Sequence, residues 1–168
     1  MASPSYRIVE YDDEWPALFK EEKARVVDAL GIEAGCVEHI GSTSVPGLGA
    51  KPIVDIMVGI PSMNQADEFI PSLERIDYEW RDDTVPGTRY IRKEVPRRYN
   101  LHMTRHGGDF WVEHLLFRNY LRAHSHVARR YEELKCDLMA AYASEPRTYN
   151  QGKSEFIQAI VEQARAER

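Results

Sequence analysis

The sequence predicts an α/β (α+β) fold, a mixed β-sheet flanked by helices with a helical C-terminal part. Three observations predict it. Short apolar segments rich in β-branched residues, bounded by Gly- and Pro-bearing turns, recur between residues 37 and 105. An amphipathic helical pattern precedes them, and helical periodicity runs almost unbroken from Trp111 onward. At 168 residues, with no internal repeat, low-complexity stretch or linker, the chain reads as one domain over residues 1–168, large enough for a substantial core.

Arg7–Glu10 reads as a short strand or lead-in. Asp12 and Asp13 offer N-caps, Pro16 is tolerated in a first turn, and Trp15, Leu18, Phe19, Val26, Ala29 and Leu30 recur at helical spacing, so Asp13–Leu30 is a helix that Gly31 closes. Val37–Ile40 and Ile53–Ile60 read as the first two core strands, with a glycine-rich loop and a short helical turn between them. Pro61-Ser62 caps a helix near Asn64–Leu73. Tyr78–Arg81 is a candidate strand, Val85-Pro86-Gly87 a turn, and Thr88–Glu94 with Arg98–Arg105 a hairpin around Val95-Pro96. In that hairpin Tyr90 and Arg92 share a face, and Leu101 and Met103 lie opposite His102. His106–Asp109 is a turn. Helices follow from Trp111 to about Ala123, from about Val127 to Ala143 and from Pro146 to Ala164, with Leu115, Leu116 and Tyr120 in the core.

Hydrophobic residues make up 43% and charged residues 29%, ordinary values for a globular chain. No apolar run approaches the roughly 20 residues that cross a bilayer, and MASPSYRIVEYDDEW lacks the regions of a signal peptide. A cytoplasmic location and no membrane partner are expected. Cys36 and Cys136 lie far apart without metal spacing, so both are expected to be packing residues rather than zinc or iron–sulfur ligands. The formal net charge of −5 argues against generic nucleic-acid binding. Residues 88–106 run the other way: Arg89, Arg92, Lys93, Arg97, Arg98 and Arg105 against Glu94 alone give +5. Such a wall suits a compact anionic ligand; its alternative is a solvated hairpin.

The most informative stretch is His39–Val58, HIGSTSVPGLGAKPIVDIMV. A polar, glycine-bearing turn after a strand leaves backbone N–H groups where a phosphate can sit, and a carboxylate in the apolar strand that follows needs a cation or donors. It is not a phosphate loop, because Lys51 precedes Pro52 and not Ser or Thr. Nor is it a dinucleotide fingerprint, because no glycine here opens a long helix. An apolar residue, Gly and Ser closing one strand, with an Asp on the next, resembles the nucleotidyltransferases of the DNA polymerase beta superfamily; Ile40-Gly41-Ser42 and Asp55 match. A closer resemblance is to the GrpB family of small bacterial proteins, whose hallmark His39–Ile56 follows nearly position by position. Leu101-His102, the run His114–His124, Tyr131 with Leu134-Lys135, and Tyr149, Lys153 and Phe156 agree too, so the resemblance covers almost the whole chain.

A nucleotidyltransferase-like site implies Mg²⁺ held by Asp55, with Gly41, Ser42, Thr43 and Lys51 around a phosphate. Polymerase-type enzymes place two metal-binding carboxylates at i and i+2 on one strand. Here that second position is Met57, so help for Asp55 would come from Glu79, Glu94 or Asp109, or from His102 as base or secondary ligand. The alternative for Asp55 is to cap the Gly41–Ser44 amides without metal. Arg118 and Arg122, at i and i+4, aim two guanidiniums at one spot, and Arg92 reaches from the hairpin. The family resemblance adds Lys135 and Lys153. Tyr149 either stacks on a base or packs, and His39 buttresses the loop. The expected ligand is a nucleotide or other small phosphorylated molecule. The leading reading is a magnesium-dependent nucleotidyltransferase-like protein acting on a small acceptor. The alternative is a catalytically silent nucleotide- or coenzyme A-precursor-binding regulatory module, in keeping with the fusion of such domains to dephospho-coenzyme A kinases that the resemblance implies. A protein-interaction domain whose loop holds only backbone is the third. Acceptor, nucleotide preference and oligomeric state are left open.

Overall fold

The computed structural model describes residues 7–81 and 85–168; the first six residues of the amino-terminal stretch lie outside them. Helix α1, Trp15–Leu30, starts beside Asp12, whose Oδ1 accepts from the Glu14 N–H (2.9 Å), and ends at Gly31, whose left-handed φ of 63° lets its N–H reach the Val27 carbonyl. Strands β1 (Val37–Ile40), β2 (Val54–Ile60), β3 (Glu79–Trp80), β4 (Thr88–Lys93) and β5 (Tyr99–Arg105) form one sheet in the order β1-β2-β5-β4-β3. Its central pair, β2 with β5, is parallel and the other pairs are antiparallel. Helix α2 (Ala66–Glu74) links β2 to β3, and α3 (Asp109–Ala123), α4 (Ser125–Tyr142) and α5 (Pro146–Ala166) follow the sheet. The lead-in is a single bridge between Val9 and Ala50.

The period of two sorts the sheet into unequal faces. Val54, Ile56, Val58 and Ile60 with Leu101 and Met103 turn toward α1 and α2, where Trp15, Val26, Leu30 and Leu73 complete the main core. Asp55, Met57 and Gly59 share the other face with Asn100, His102, Thr104, Tyr90 and Arg92. Helix α3 covers part of this second face: Met57 is fully buried against Ile40 and Trp111. At Gly59 a Cβ would stand 2.8 Å from both the His106 and Trp111 side chains, so only glycine admits the helix this close. A third cluster joins Val45 and Leu48 of the β1–β2 loop to α3, α4 and α5.

Four expectations need correction. The second strand starts at Val54, one residue after the Ile53 expected, because Lys51 to Ile53 still belong to the loop. The strand expected over Tyr78–Arg81 has two residues. Cys136 is exposed, on the solvent side of α4, and so is no packing residue; Cys36 is half-buried. The basic wall of residues 88–106 divides, since alternate residues of a strand point to opposite faces: Arg89 pairs with Asp67, Arg92 with Glu94, and Lys93 turns inward onto Glu22.

That last pair ties α1 to the sheet. Glu22 is fully buried and meets Lys93 at 3.1 Å and Arg25 at 2.8 Å. Removing one member of a buried pair strands the other charge, which costs about 3–5 kcal/mol. Glu22→Ala should lose that much in equilibrium denaturation, and Glu22→Ala/Lys93→Met should recover most of it.

Candidate functional site

The loop between β1 and β2 begins at Gly41, whose φ of 73° turns the chain under Asp55. A short 3-10 turn over Ser42–Ser44 follows, in which the Ser44 and Val45 amides bond back to the Gly41 and Ser42 carbonyls (3.1 and 3.2 Å). Those two N–H groups are spent inside the turn, so the open part of the loop is the exposed Gly41 and the half-buried Ser42. Thr43 is buried, its hydroxyl 2.9 Å from His39 Nε2, and His39 stacks on Phe19 of α1. Burial holds the His39 imidazole at about 4, so it is neutral near pH 7 and buttresses the loop as expected.

Charged side chains of α3 and α4 hold this loop from behind. Arg118 donates through Nη1 to Glu38 (2.6 Å) and to the His39 carbonyl (2.9 Å), and Arg122 Nε donates to the Ser44 carbonyl (2.8 Å). Of the i,i+4 arginines, Arg122 meets a peptide group of the loop, while Arg118 holds the end of β1 that leads into it. The Gly49 peptide is held on both sides: its N–H donates to Glu132 (2.8 Å), and its carbonyl accepts from Lys135 Nζ. The Tyr131 hydroxyl faces Ser42.

On the open side the cations gather. Lys51 Nζ lies 4.1 Å and Lys153 Nζ 4.6 Å from the centroid of the same buried Tyr149 ring. Burial, with the Lys51 charge adding to it and Asp55 opposing, pushes Lys153 down to about 8. Burial also lowers Lys51, again against the pull of Asp55, and Arg98 adds to the lowering. Lys135, only 2% exposed, is pushed down to about 7 by burial and then by Lys153. Tyr149 therefore packs beneath the ammonium groups.

Asp55 is the carboxylate facing them. Burial acts to raise its pKa, and the neighbouring His102, the Asn100 amide and the Lys153 charge outweigh it, so Asp55 stays ionised. Asn100 Nδ2 donates to Oδ1 at 3.1 Å, while His102 Nε2 stands 3.8 Å away, an ion-pair distance and no hydrogen bond. His102 lies between Tyr90 (ring centroids 5.2 Å) and Phe110 (5.8 Å), with Nδ1 buried and unbonded. The carboxylates nominated to assist Asp55 are engaged elsewhere: Glu79 pairs with Arg81, Glu94 with Arg92, and Asp109 is exposed in the first turn of α3. Among the described residues no three His, Cys, Asp or Glu side chains cluster as a ready metal site. Arg92 reaches the site indirectly, through Tyr90.

Asn100, Tyr90, Tyr131 and Glu132 were not singled out as site residues by sequence reasoning. A signal existed for Asn100, which lies two residues before His102 on one strand and so shares its face. The same spacing puts Tyr90 on the face of Arg92, and nothing local marks Tyr131 or Glu132. The i+2 vacancy at Met57 has a physical cause in α3. Met57→Asp would bury a carboxylate against Ile40 and Trp111, so it should destabilise the fold by about 3 kcal/mol or more in denaturant titration without creating a metal site.

Comparison with known proteins identifies relatives of the chain. The family model described as GrpB protein matches residues 5–163. The UPF0157 protein YqkA of Bacillus subtilis is 36% identical over 160 residues, which cover 94% of this chain but 47% of that protein, so the chain spans about half the length of that relative. A dephospho-CoA kinase of Mycobacterium bovis is 31% identical over 158 residues, covering 78% of this chain and 39% of that protein. The crystal structure of a conserved protein GrpB from Enterococcus faecalis superposes with a TM-score of 0.82 at 35% identity, covering 94% of this chain and 96% of the other. With fold, loop and relatives in agreement, the chain belongs to the GrpB family.

Proposed function

We propose that this protein binds a compact phosphorylated ligand of the nucleotide class at the β1–β2 loop. The observation that carries this reading is the convergence of Lys51 and Lys153 on one Tyr149 ring, opposite Asp55. Ammonium groups brought together in a half-buried cleft repel one another and lose hydration, and a polyanion relieves both penalties. Arg98, whose Nε is buried without a hydrogen-bond partner, adds charge on the Lys51 side. The Gly41 and Ser42 end of the loop is open for an oxygen of the ligand. The relative named dephospho-CoA kinase favours a coenzyme A precursor as one such ligand.

Nucleotidyl transfer to a small acceptor is the second reading, and the placement of Asp55 over Gly41 favours it. Asp55 offers one carboxylate oxygen, which fits Mg²⁺ only in company with ligand phosphates and water. When bound, Mg²⁺ would neutralise charge on the reacting phosphate. The protein's own part in such a reaction is to hold phosphate on Lys51 and Lys153 and to accept hydrogen bonds at Asp55. The buried Met57 weighs toward binding without transfer.

Titration calorimetry with Mg·ATP and with dephospho-coenzyme A tests the reading. Lys51→Met and Lys153→Met should each weaken binding about tenfold or more, the scale of one charge-assisted hydrogen bond. An anion favours the protonated lysines. Affinity should therefore be fully present below pH 8 and fall as pH rises past the Lys153 value of about 8, with proton uptake on binding there. Unchanged affinity in both variants would overturn the site. Pyrophosphate release from a nucleoside triphosphate, lost in Asp55→Asn, would select transfer; binding without release would select the silent module.

A further inference from the structure

Three adjacent strands set side chains in rows across the open face of the sheet. Arg92 of β4 stands opposite Asn100 of β5, which stands opposite Asp55 of β2; Tyr90 lies two residues before Arg92 on the same face. Arg92 has only donors, and its Nε and Nη2 both meet the Tyr90 hydroxyl oxygen (3.2 and 3.1 Å), while Nη1 meets Glu94 (3.2 Å). With its oxygen occupied as an acceptor, Tyr90 donates its one proton to Asn100 Oδ1 at 2.8 Å. That sets the Asn100 amide the other way round, with its NH₂ toward Asp55 Oδ1 at 3.1 Å. A flipped amide would set its oxygen against Asp55 Oδ1 and its NH₂ against the Tyr90 O–H, losing both bonds.

The other carboxylate oxygen has a different environment. No hydrogen bond from a described residue reaches Asp55 Oδ2, and it lies over Gly41, where an added Cβ would stand 2.6 Å from it. Glycine at that position, already required by its φ of 73°, leaves the oxygen accessible from the loop side.

We propose that Arg92, Tyr90 and Asn100 form a positioning relay that spends Asp55 Oδ1 on the protein and presents Oδ2 to the ligand. The proposal rests on the reading of this cleft as a ligand site, and it narrows the ligand class. An ionised oxygen that no described residue bonds is matched best by a donor or cation that the ligand brings. The ligand is therefore an anion that carries a hydroxyl or amine donor, or arrives as its divalent-cation complex. A bare sulfate, which carries no proton near pH 7, satisfies the lysines and leaves Oδ2 facing a second anion.

The experiment has two readouts. In ligand-free ¹⁵N-labelled protein the Asn100 side-chain amide resonance should show one proton bonded to a carboxylate. Asp55→Asn and Tyr90→Phe should each move it, the second while the Tyr90 ring position and thermal stability are kept. In calorimetry with Mg·ATP, Tyr90→Phe should weaken binding about fivefold and have no further effect in the Asp55→Asn background, while sulfate should bind more weakly than Mg·ATP and be indifferent to Tyr90→Phe. An Asn100 resonance identical in the wild type and Asp55→Asn overturns the relay. So does an equal Tyr90→Phe loss in both backgrounds. Wild-type protein that binds neither Mg·ATP nor sulfate, with the resonance behaving as described, overturns the ligand-site reading and leaves the relay's contacts within the protein standing.

Discussion

The peptide groups of the β1–β2 loop are held from behind by charged side chains of two later helices, and the cleft depends on that hold. A glycine-rich loop whose own hydrogen bonds link residues no more than three apart would otherwise sample many conformations. Arg122, Glu132 and Lys135 bond to Ser44 and Gly49 across roughly 80 residues of sequence, at backbone atoms that the loop must otherwise satisfy with water, and Arg118 holds the His39 carbonyl at the end of β1. Val45 and Leu48 add an apolar anchor from the same direction. The result is a loop whose rear is spent and whose front, Gly41, Ser42 and Lys51, is ordered before any ligand arrives. Such preorganisation lowers the entropic cost of binding.

The electrostatics of the front follow from the same arrangement. The helix arginines bond to β1 and loop peptides and the hairpin cations Arg89, Arg92 and Lys93 pair with acids, while Lys51 and Lys153 face the cleft over Tyr149, with Lys135 behind. The Asp55 carboxylate opposes Lys51 and Lys153. A polymerase-type metal site needs its second carboxylate where α3 instead packs Trp111 on Met57, so the helix that braces the loop also closes that position. Bracing and the loss of the i+2 acid are two consequences of one packing choice.

Much of this was legible in the residues. The strands and helices announce themselves by period, and Gly41, Asp55 and Lys51 by their spacing along one short stretch, because each of those signals is local. The burial of Lys93 against Glu22, the exposure of Cys136 and the attachment of Arg118 and Arg122 to backbone were not, since periodicity gives a side chain's face but not its partner. Asn100 is the clearest case. Its role exists only because β2 and β5 run parallel and in register, a pairing between segments 45 residues apart that no local pattern specifies.

The central claim is that the braced loop, Lys51 and Lys153 form a preorganised polyanion site. A crystal structure of the protein with Mg·ATP tests it most directly. The account predicts phosphate density between Lys51 Nζ, Lys153 Nζ and the Gly41–Ser42 backbone, with the loop and the contacts from Arg118, Arg122, Glu132 and Lys135 unchanged. A nucleotide bound elsewhere, or a loop that must leave those contacts to receive it, would contradict the account.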